Sequence, residues 1–181
     1  MYELTDEEIA EILTEIDETE KIIENVKKML DKLKLSWYYN IVREVRKMKR
    51  TKVYLDMDGT IADLYGQPNW LEMLENEKDG AFINCKPLTD MATLESHFPA
   101  DEYEITILSM TPKHASKEYC EQVIKEKNEW LNKYFPGLTK RIYMPYGNNK
   151  NLKNSRNAIL VDDSAEIRKN YRGTALEPMW L

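Results

Sequence analysis

The fold of this chain is decided by the stretch Lys52-Val53-Tyr54-Leu55-Asp56-Met57-Asp58-Gly59-Thr60, in which an apolar segment runs into two acids one residue apart. Side chains alternate along a strand, so Asp56 and Asp58 are expected on the same side of the chain. Gly59 lets the backbone turn tightly beside them, because glycine readily adopts a positive φ. The stretch therefore predicts a buried strand that ends in a pair of neighbouring carboxylates.

Strand-like and helix-like segments alternate from residue 52 onward, which is typical of an α/β fold around a mainly parallel sheet. The predicted strands cover residues 52–56, 104–109, 141–144 and 158–162, with a further candidate at 173–176. The predicted helices cover residues 69–76, 88–96, 116–134 and 165–170. Ligands of such sheets bind at the carboxyl ends of the strands, so functional residues are expected directly after each strand.

Two more of the predicted strands also end in polar side chains. The second strand ends at Ser109, and the fourth runs into the acid pair Asp162-Asp163. Lys150 and Lys153 both precede that fourth strand. Because the carboxyl ends of parallel strands meet at one edge of a sheet, all these groups are expected close to the first acid pair.

In this order, the four features resemble the motifs of the haloacid dehalogenase-like (HAD) phosphohydrolases: Asp-x-Asp, a Ser or Thr after an apolar strand, a lysine, and a terminal acid pair. The resemblance covers about residues 52–177 and implies a Rossmann-like HAD core. It also implies that Asp56 attacks phosphorus and forms an aspartyl-phosphate. Asp58 would protonate the leaving oxygen and later deprotonate the attacking water. This second acid points to phosphoryl transfer rather than to dehalogenation.

The resemblance further implies a set of groups that hold the phosphate. Ser109 would donate a hydrogen bond to a phosphoryl oxygen, and Thr111 is a candidate second contact. Gly59 and Thr60, in the turn after the first strand, belong to the same predicted phosphate-binding set.

A lysine and a metal ion complete the implied site. The lysine would neutralise the nucleophile and the phosphate; spacing leaves Lys150 and Lys153 both open, and the resemblance of residues 146–150 to small HAD proteins favours Lys150. The expected cofactor is Mg²⁺, because hard oxygen ligands suit it and crowded carboxylates need a cation to stay ionised. Its predicted ligands are Asp56, Asp58 through its backbone carbonyl, and one of the terminal acids, Asp162 in preference to Asp163.

The substrate is expected to be a small phosphorylated molecule. Segments 56–64, 109–112, 126–131 and 160–163 are similar to the 5′(3′)-deoxyribonucleotidase-like branch of the HAD family, and the chain also resembles small HAD-like proteins of bacteria and their phages. A 5′-nucleotidase is therefore one expected activity. Only about residues 65–85 are available for a lid, so a small helical cap is predicted. Its aromatic residues either stack on a base or belong to the core, and these residues are Trp70 and Phe82.

Residues 1–50 are predicted to form a helical appendage before the HAD-like domain at 51–181. Thr5 is the expected N-cap of the first helix, and Glu8 completes a capping box. Residues then recur with the 3.5-residue period of a coiled coil, and they are Ile9, Ile12, Ile16, Thr19, Ile23, Val26, Leu30 and Leu33. Their partner is either the segment that follows Lys34-Leu35-Ser36 or a second copy of the chain. A short turn there favours an antiparallel helical hairpin over a homodimer.

Composition excludes several other kinds of chemistry. The cysteines, Cys85 and Cys120, and the histidines, His97 and His114, offer too little material for a structural zinc site or a Ser-His-Asp triad. Carboxylates are therefore expected to carry any catalysis. No apolar run approaches the roughly 20 residues of a membrane span, and the N-terminus lacks a signal-peptide pattern, so a cytoplasmic protein without a membrane partner is expected.

Two alternatives to a small-molecule phosphatase stay open. Residues 36–52 hold six bases against one acid, a charge that would attract nucleic acid, so a nucleic-acid end phosphatase is one alternative. We favour the simpler interpretation that the basic side chains of residues 36–52 are solvated or paired with acidic side chains. The other alternative is an interaction or regulatory protein that uses its N-terminal helices and has a slow or idle HAD core.

Overall fold

The computed structural model describes residues 6–153, 155–178 and 180. The chain divides into two compact units, Met1–Met48 and Lys49–Leu181. Across the described ranges, no helix combines the length and the apolar character needed to cross a membrane.

The first unit is formed by one long helix, α1, which runs over Asp6–Lys49 for 44 residues. The predicted hairpin is therefore wrong, because the expected turn at Lys34-Leu35-Ser36 lies inside the helix. No glycine or proline occurs before Gly59, and residues such as leucine and lysine continue a helix readily. The predicted N-cap Thr5 lies outside the described residues, as does the side chain of Glu8.

The second unit is built on a five-stranded parallel sheet. The strands of the whole unit, in chain order, are β1 Thr51–Leu55, β2 Ala62–Asp63, β3 Lys86–Pro87, β4 Tyr103–Met110, β5 Arg141–Met144, β6 Ala158–Val161 and β7 Thr174–Leu176. The large sheet has the order β5-β4-β1-β6-β7, and every neighbouring pair in it is parallel. Strands β2 and β3 form a separate antiparallel pair. The prediction of an α/β fold around a mainly parallel sheet is confirmed, and this sheet is compatible with a Rossmann-like core.

Helices of the second unit contribute side chains to two apolar clusters that also contain residues of the large sheet. In chain order the helices are α2 Trp70–Glu75, α3 Met91–His97, α4 Lys117–Tyr134 and α5 Ala165–Asn170, with a 3₁₀ turn at Ser155–Asn157. Ser116 caps α4, because its hydroxyl accepts the Tyr119 N–H at 3.2 Å. Trp130 of α4 is fully buried in one apolar core with Val53 and Leu55 of β1. This packing fixes α4 beside the carboxyl end of β1, where the predicted site residues lie.

Glu104 links β4 to both of its neighbours in the sheet. Its carboxylate lies 2.6 Å from Lys140 Nζ, directly before β5, and 3.5 Å from Arg50 Nη2, directly before β1. The hydrogen bond from Lys140 is the main cause of a lowered Glu104 pKa. A lowered carboxyl pKa contributes stability above the unfolded-state pKa, and that stability is lost as the pH falls through the folded-state pKa.

We expect Glu104→Gln to lower the free energy of unfolding by about 0.5–1 kcal/mol at neutral pH, because the charge that holds both neighbours is removed. The deficit should shrink as the pH falls below the ordinary glutamate pKa of about 4.3, where the native carboxylate also takes up its proton. Urea unfolding of both proteins at several pH values measures this. Exposed Glu102, changed to Gln, is the matched control. An equal deficit at every pH would contradict a charge-based role for Glu104.

Candidate active site

Four polar side chains predicted from the sequence meet at the carboxyl edge of the large sheet. Asp56 directly follows β1, and Asp162 directly follows β6, the neighbour of β1. Ser109 is the penultimate residue of β4, the neighbour of β1 on its other side. Lys150 lies in the loop between β5 and β6. The parallel order of these strands therefore brings together groups that are far apart in sequence.

Three acids form a compact cluster at this edge. Asp56, Asp162 and Asp163 each place one carboxylate oxygen within 4.8 Å of the others. Lys150 Nζ lies 2.6 Å from Asp56 Oδ1 and 2.7 Å from Asp162 Oδ2, and its side chain is almost completely buried. Lys153 is exposed, so the structure places Lys150 in this site and leaves Lys153 at the surface.

The charges of this cluster are strongly coupled. Burial raises the pKa of Asp162, and the neighbouring Asp56 raises it further. Burial and then Asp56 also raise the pKa of Asp163 to about 6. Burial alone would lower the pKa of Lys150, but Asp56 and Asp162 outweigh it and the pKa is raised. The cluster thus carries more negative charge than one lysine offsets, which is the condition under which carboxylates take up a proton or a cation.

The side chain of Asp58 faces a different partner from that of Asp56. Its Oδ2 lies 2.5 Å from the Nζ of Lys127, and the Ser109 hydroxyl lies 3.4 Å away. Its Oδ1 is buried and has no hydrogen-bond partner among the described residues. Burial raises the pKa of Asp58 in spite of the opposing charge of Lys127. Asp58 is therefore a half-buried acid with a raised pKa, paired with Lys127 through one oxygen and with its other oxygen free to accept a hydrogen bond.

Lys127 is the residue of this site that the sequence analysis missed. It lies on α4, is fully buried, and donates to three oxygens, those of Asp58 at 2.5 Å, Ser109 at 2.8 Å and the Met110 carbonyl at 2.7 Å. A signal for it was present, because Tyr119, Val123 and Trp130 mark the buried face of α4 and position 127 falls on that face. A lysine on the apolar face of a helix requires a buried partner, and here the partner is Asp58.

The turn after β1 holds the acids in place. Gly59 has a φ of 78°, and a Cβ at this position would lie 2.7 Å from Asp163 Oδ2 and would also collide with Tyr65, so only glycine fits. The Thr60 hydroxyl accepts the Asp163 N–H at 3.1 Å. Both residues were predicted to bind phosphate, and that role stays a prediction; in this structure Thr60 also holds Asp163.

A cavity of about 580 Å³ opens onto this edge of the sheet. Asp56, Asp58, Lys150, Asp162 and Asp163 reach its wall, as does Thr111, one of the predicted phosphate contacts. Its lining also includes the aromatic side chains of Tyr65, Trp70, Phe82 and Tyr146. Ser109 is fully buried and its hydroxyl is held by Lys127.

Residues 65–85, the predicted cap, contribute much of this cavity wall and are anchored to α4. The carboxylate of Glu126 accepts the N–H groups of Gly80 at 2.7 Å, Phe82 at 3.1 Å and Ile83 at 3.4 Å. Glu126 directly precedes Lys127, so one turn of α4 holds both the wall of the cavity and the Asp58 carboxylate. The rings of Tyr65 and Trp70 lie edge to face with their centroids 5.1 Å apart.

The site thus combines the buried Asp56 carboxylate, a second acid with a raised pKa at Asp58, and two buried lysines beside a cavity. Its hard oxygen donors at Asp56, Asp162 and Asp163 match the ligands that Mg²⁺ prefers. No protein-family model matches the chain, and no curated protein is significantly similar to it. Function is therefore inferred from the chemistry of these residues.

Proposed function

We propose that this protein is a magnesium-dependent phosphomonoester hydrolase of the HAD type that works through an aspartyl-phosphate on Asp56. One observation carries the proposal: the Asp56 carboxylate lies at a cavity wall within 4.8 Å of the acid pair Asp162 and Asp163, with Lys150 Nζ at 2.6 Å. Phosphoryl transfer needs a nucleophile, positive charge near the phosphoryl oxygens, and a proton for the leaving group. This arrangement offers residues for all three tasks.

The first half-reaction assigns a task to each acid. A carboxylate oxygen of Asp56 attacks phosphorus, a new oxygen–phosphorus bond forms, and the bond from phosphorus to the leaving oxygen breaks. Asp58 gives its proton to that oxygen, so the product leaves as an alcohol. The raised pKa of Asp58 supports this task, because the acid must hold a proton before the bond breaks.

The second half-reaction regenerates the protein. Water attacks the phosphorus of the aspartyl-phosphate, Asp58 takes a proton from that water, and inorganic phosphate leaves Asp56 as a free carboxylate. Lys150, held between Asp56 and Asp162, offsets negative charge at the nucleophile throughout.

Mg²⁺ fits the donor set of the acid cluster. The carboxylates of Asp56, Asp162 and Asp163, together with the backbone carbonyl of Asp58, are the residues that would hold it. When bound, the ion supplies positive charge that neutralises the acids and the phosphoryl oxygens. Lys150 already compensates Asp56 and Asp162, so Asp163 is the acid of the cluster with the greatest need of a cation.

The walls of the cavity support a nucleotide as the substrate. Aromatic rings at Tyr65, Trp70 and Tyr146 provide flat apolar surfaces on which a base can stack. A cavity of about 580 Å³ also falls within the roughly 300–1,000 Å³ of ordinary small-molecule sites. A 5′-nucleotidase is therefore the specific activity that we propose.

The basic stretch gives weaker support to a nucleic-acid end phosphatase. Arg50 and Lys52 lie at the start of β1, whereas Asp56 lies beyond its end, so they occupy opposite edges of the sheet. Arg50 is also engaged, since it donates to the Ala100 carbonyl at 3.1 Å and pairs with Glu104. Arg50 therefore joins β1 to β4, and neither base lines the cavity.

The proposed function is tested by phosphate release from nucleoside monophosphates, sugar phosphates and phosphorylated oligonucleotides, each with and without Mg²⁺. We expect magnesium-dependent release that is highest for a nucleoside monophosphate. Faster release from oligonucleotides would overturn the choice of substrate, and no release from any of them would overturn the phosphatase itself.

Magnesium should also stabilise the fold in the absence of substrate. A ligand at 100 times its dissociation constant adds about 2.7 kcal/mol to the free energy of unfolding. We expect Asp163→Asn to lose most of this gain, because it removes the carboxylate of the cluster that Lys150 does not contact. In EDTA at neutral pH the same variant should be more stable than the wild type, since a carboxylate whose pKa is raised to about 6 costs stability once it ionises.

Thermal unfolding of both proteins in EDTA and in a Mg²⁺ titration measures these two effects. Asp101→Asn, an exposed position outside the site, is the matched control and should respond to Mg²⁺ as the wild type does. Equal stabilisation of wild type and Asp163→Asn by Mg²⁺ would contradict a metal site at the acid cluster.

A further inference from the structure

Helix α1 presents an apolar stripe that its own unit does not cover. Among the described side chains, Ile23, Val26, Leu30, Leu33 and Trp37 are between 49% and 69% exposed. They follow one another at alternating steps of three and four residues, so they form a single stripe along the helix. A single helix cannot bury such a stripe against itself, and the stability of a long helix comes mainly from packing of its apolar face.

We propose that α1 is a self-association surface on which a second copy of this chain packs in the antiparallel direction. The distribution of charge along the helix carries the choice of direction. Residues 6–27 hold nine acids and two bases, whereas residues 28–49 hold seven bases and two acids. A parallel pair would place the acidic halves together and the basic halves together, but an antiparallel pair opposes the acidic half of each copy to the basic half of the other, with Lys27 and Lys28 at the centre.

The charge asymmetry is more extensive than the helix dipole requires. The dipole favours acids in the first turn and bases in the last turn, and its effect falls off within those turns. The change of sign in α1 instead occurs near its middle, where Glu24 is followed by Lys27 and Lys28. Opposite net charge on the two halves of the helix is the pattern expected for an antiparallel partner.

The apolar stripe fits itself in that direction. With residue 28 at the centre of the overlap, Val26 lies opposite Leu30 of the second copy, and Ile23 lies opposite its Leu33. Thr19 then lies opposite Trp37, and the polar Thr19 hydroxyl is already satisfied by the Glu15 carbonyl at 2.7 Å. That internal hydrogen bond removes the main cost of placing a threonine in an apolar seam.

The positions beside the stripe agree with the same register. Glu20 flanks the seam opposite Lys34 of the second copy, and Glu15 flanks it opposite Arg43. All four of these side chains are exposed, and α1 is the one helix among the described residues of their unit. Opposite charges at such flanking positions are the pairs that set partner and orientation in helical pairs.

Disulfide cross-linking of the full chain tests both the partner and the direction. The variants Thr19→Cys and Trp37→Cys are each made in a chain that also carries Cys120→Ser. The native thiol that remains is then Cys85, which is buried. Residues 19 and 37 are about 27 Å apart along the helix, at about 1.5 Å per residue. An antiparallel pair therefore cross-links only when the two variants are mixed, and a parallel pair cross-links each variant with itself. Any result without the mixed cross-link overturns the proposal.

Sedimentation of the full chain provides the second measurement. We expect a dimer at micromolar concentration that Leu30→Asp shifts to monomer. Leu35→Asp, the same change on the opposite face of α1, should leave the dimer intact. A wild-type monomer, or equal disruption by both variants, would overturn the proposal. Circular dichroism of each variant shows whether its total helix and strand content matches that of the wild type.

Discussion

Asp56→Asn is expected to lower kcat by at least about 10⁴-fold, the scale on which removal of a catalytic nucleophile acts. An amide oxygen is a poor nucleophile and cannot form the aspartyl-phosphate, so both half-reactions are lost. The asparagine keeps the size of the aspartate. It can still accept a hydrogen bond from Lys150, whose Nζ lies 2.6 Å from Asp56 Oδ1 in the wild type. The expected loss therefore reports chemistry rather than unfolding. Initial rates of phosphate release at saturating Mg²⁺ measure it.

Asp101→Asn is the control for this comparison, because Asp101 is exposed in the turn before β4. It should retain wild-type activity. If Asp56→Asn kept a substantial fraction of the wild-type rate while remaining folded, another residue would have to be the nucleophile.

Lys127→Met is expected to have the second largest effect, and it acts on stability as well as on activity. Removing one partner of a buried ion pair leaves an uncompensated charge and typically costs about 3–5 kcal/mol. In the wild type, Lys127 Nζ contacts the Asp58 carboxylate and the Ser109 hydroxyl, and the substitution would leave both groups without this partner. Chemical unfolding measures the loss, and Lys125→Met, exposed on the same helix, is the matched control.

A double-mutant cycle separates the ion pair from general damage to the core. In Lys127→Met with Asp58→Asn no buried charge is left unpaired, so we expect the double variant to lose less stability than the two single changes combined. Its activity should stay low, because the acid that we propose for both half-reactions is missing. Additive stability losses would contradict a direct coupling between Lys127 and Asp58.

The sheet was predictable because its signals are local. The β5 strand and helix α5 have the bounds expected from the sequence, and β4 extends one residue further at each end. Helix α3 was predicted to begin at residue 88 but begins at Met91, because Asp90 caps it by accepting the Thr93 N–H at 2.8 Å. Strands β2 and β3 were not predicted, since two residues are too few to carry a periodic pattern.

The site was only partly predictable because its contacts are long-range. Acids that end buried strands could be found from their positions, and parallel strand order then brings them together. The pairing of Lys127 with Asp58 joins residues 69 positions apart, and no local pattern specifies it. The prediction of a helical hairpin was wrong for a related reason. An apolar stripe shows that a helix needs a partner, but it does not show which segment supplies that partner.

The aspartyl-phosphate is the central claim, and it is tested most directly by trapping it. Asp58→Asn should still react with 4-nitrophenyl phosphate, whose leaving group needs little protonation, but should lack the base for the second half-reaction. Acid quenching followed by peptide mass spectrometry then detects any phosphoryl group that remains on the protein. We predict one phosphoryl group on the peptide that contains Asp56, absent when Asp56→Asn is added. Turnover of this substrate by the wild type with no phosphoryl group on Asp56 in the variant would contradict the account.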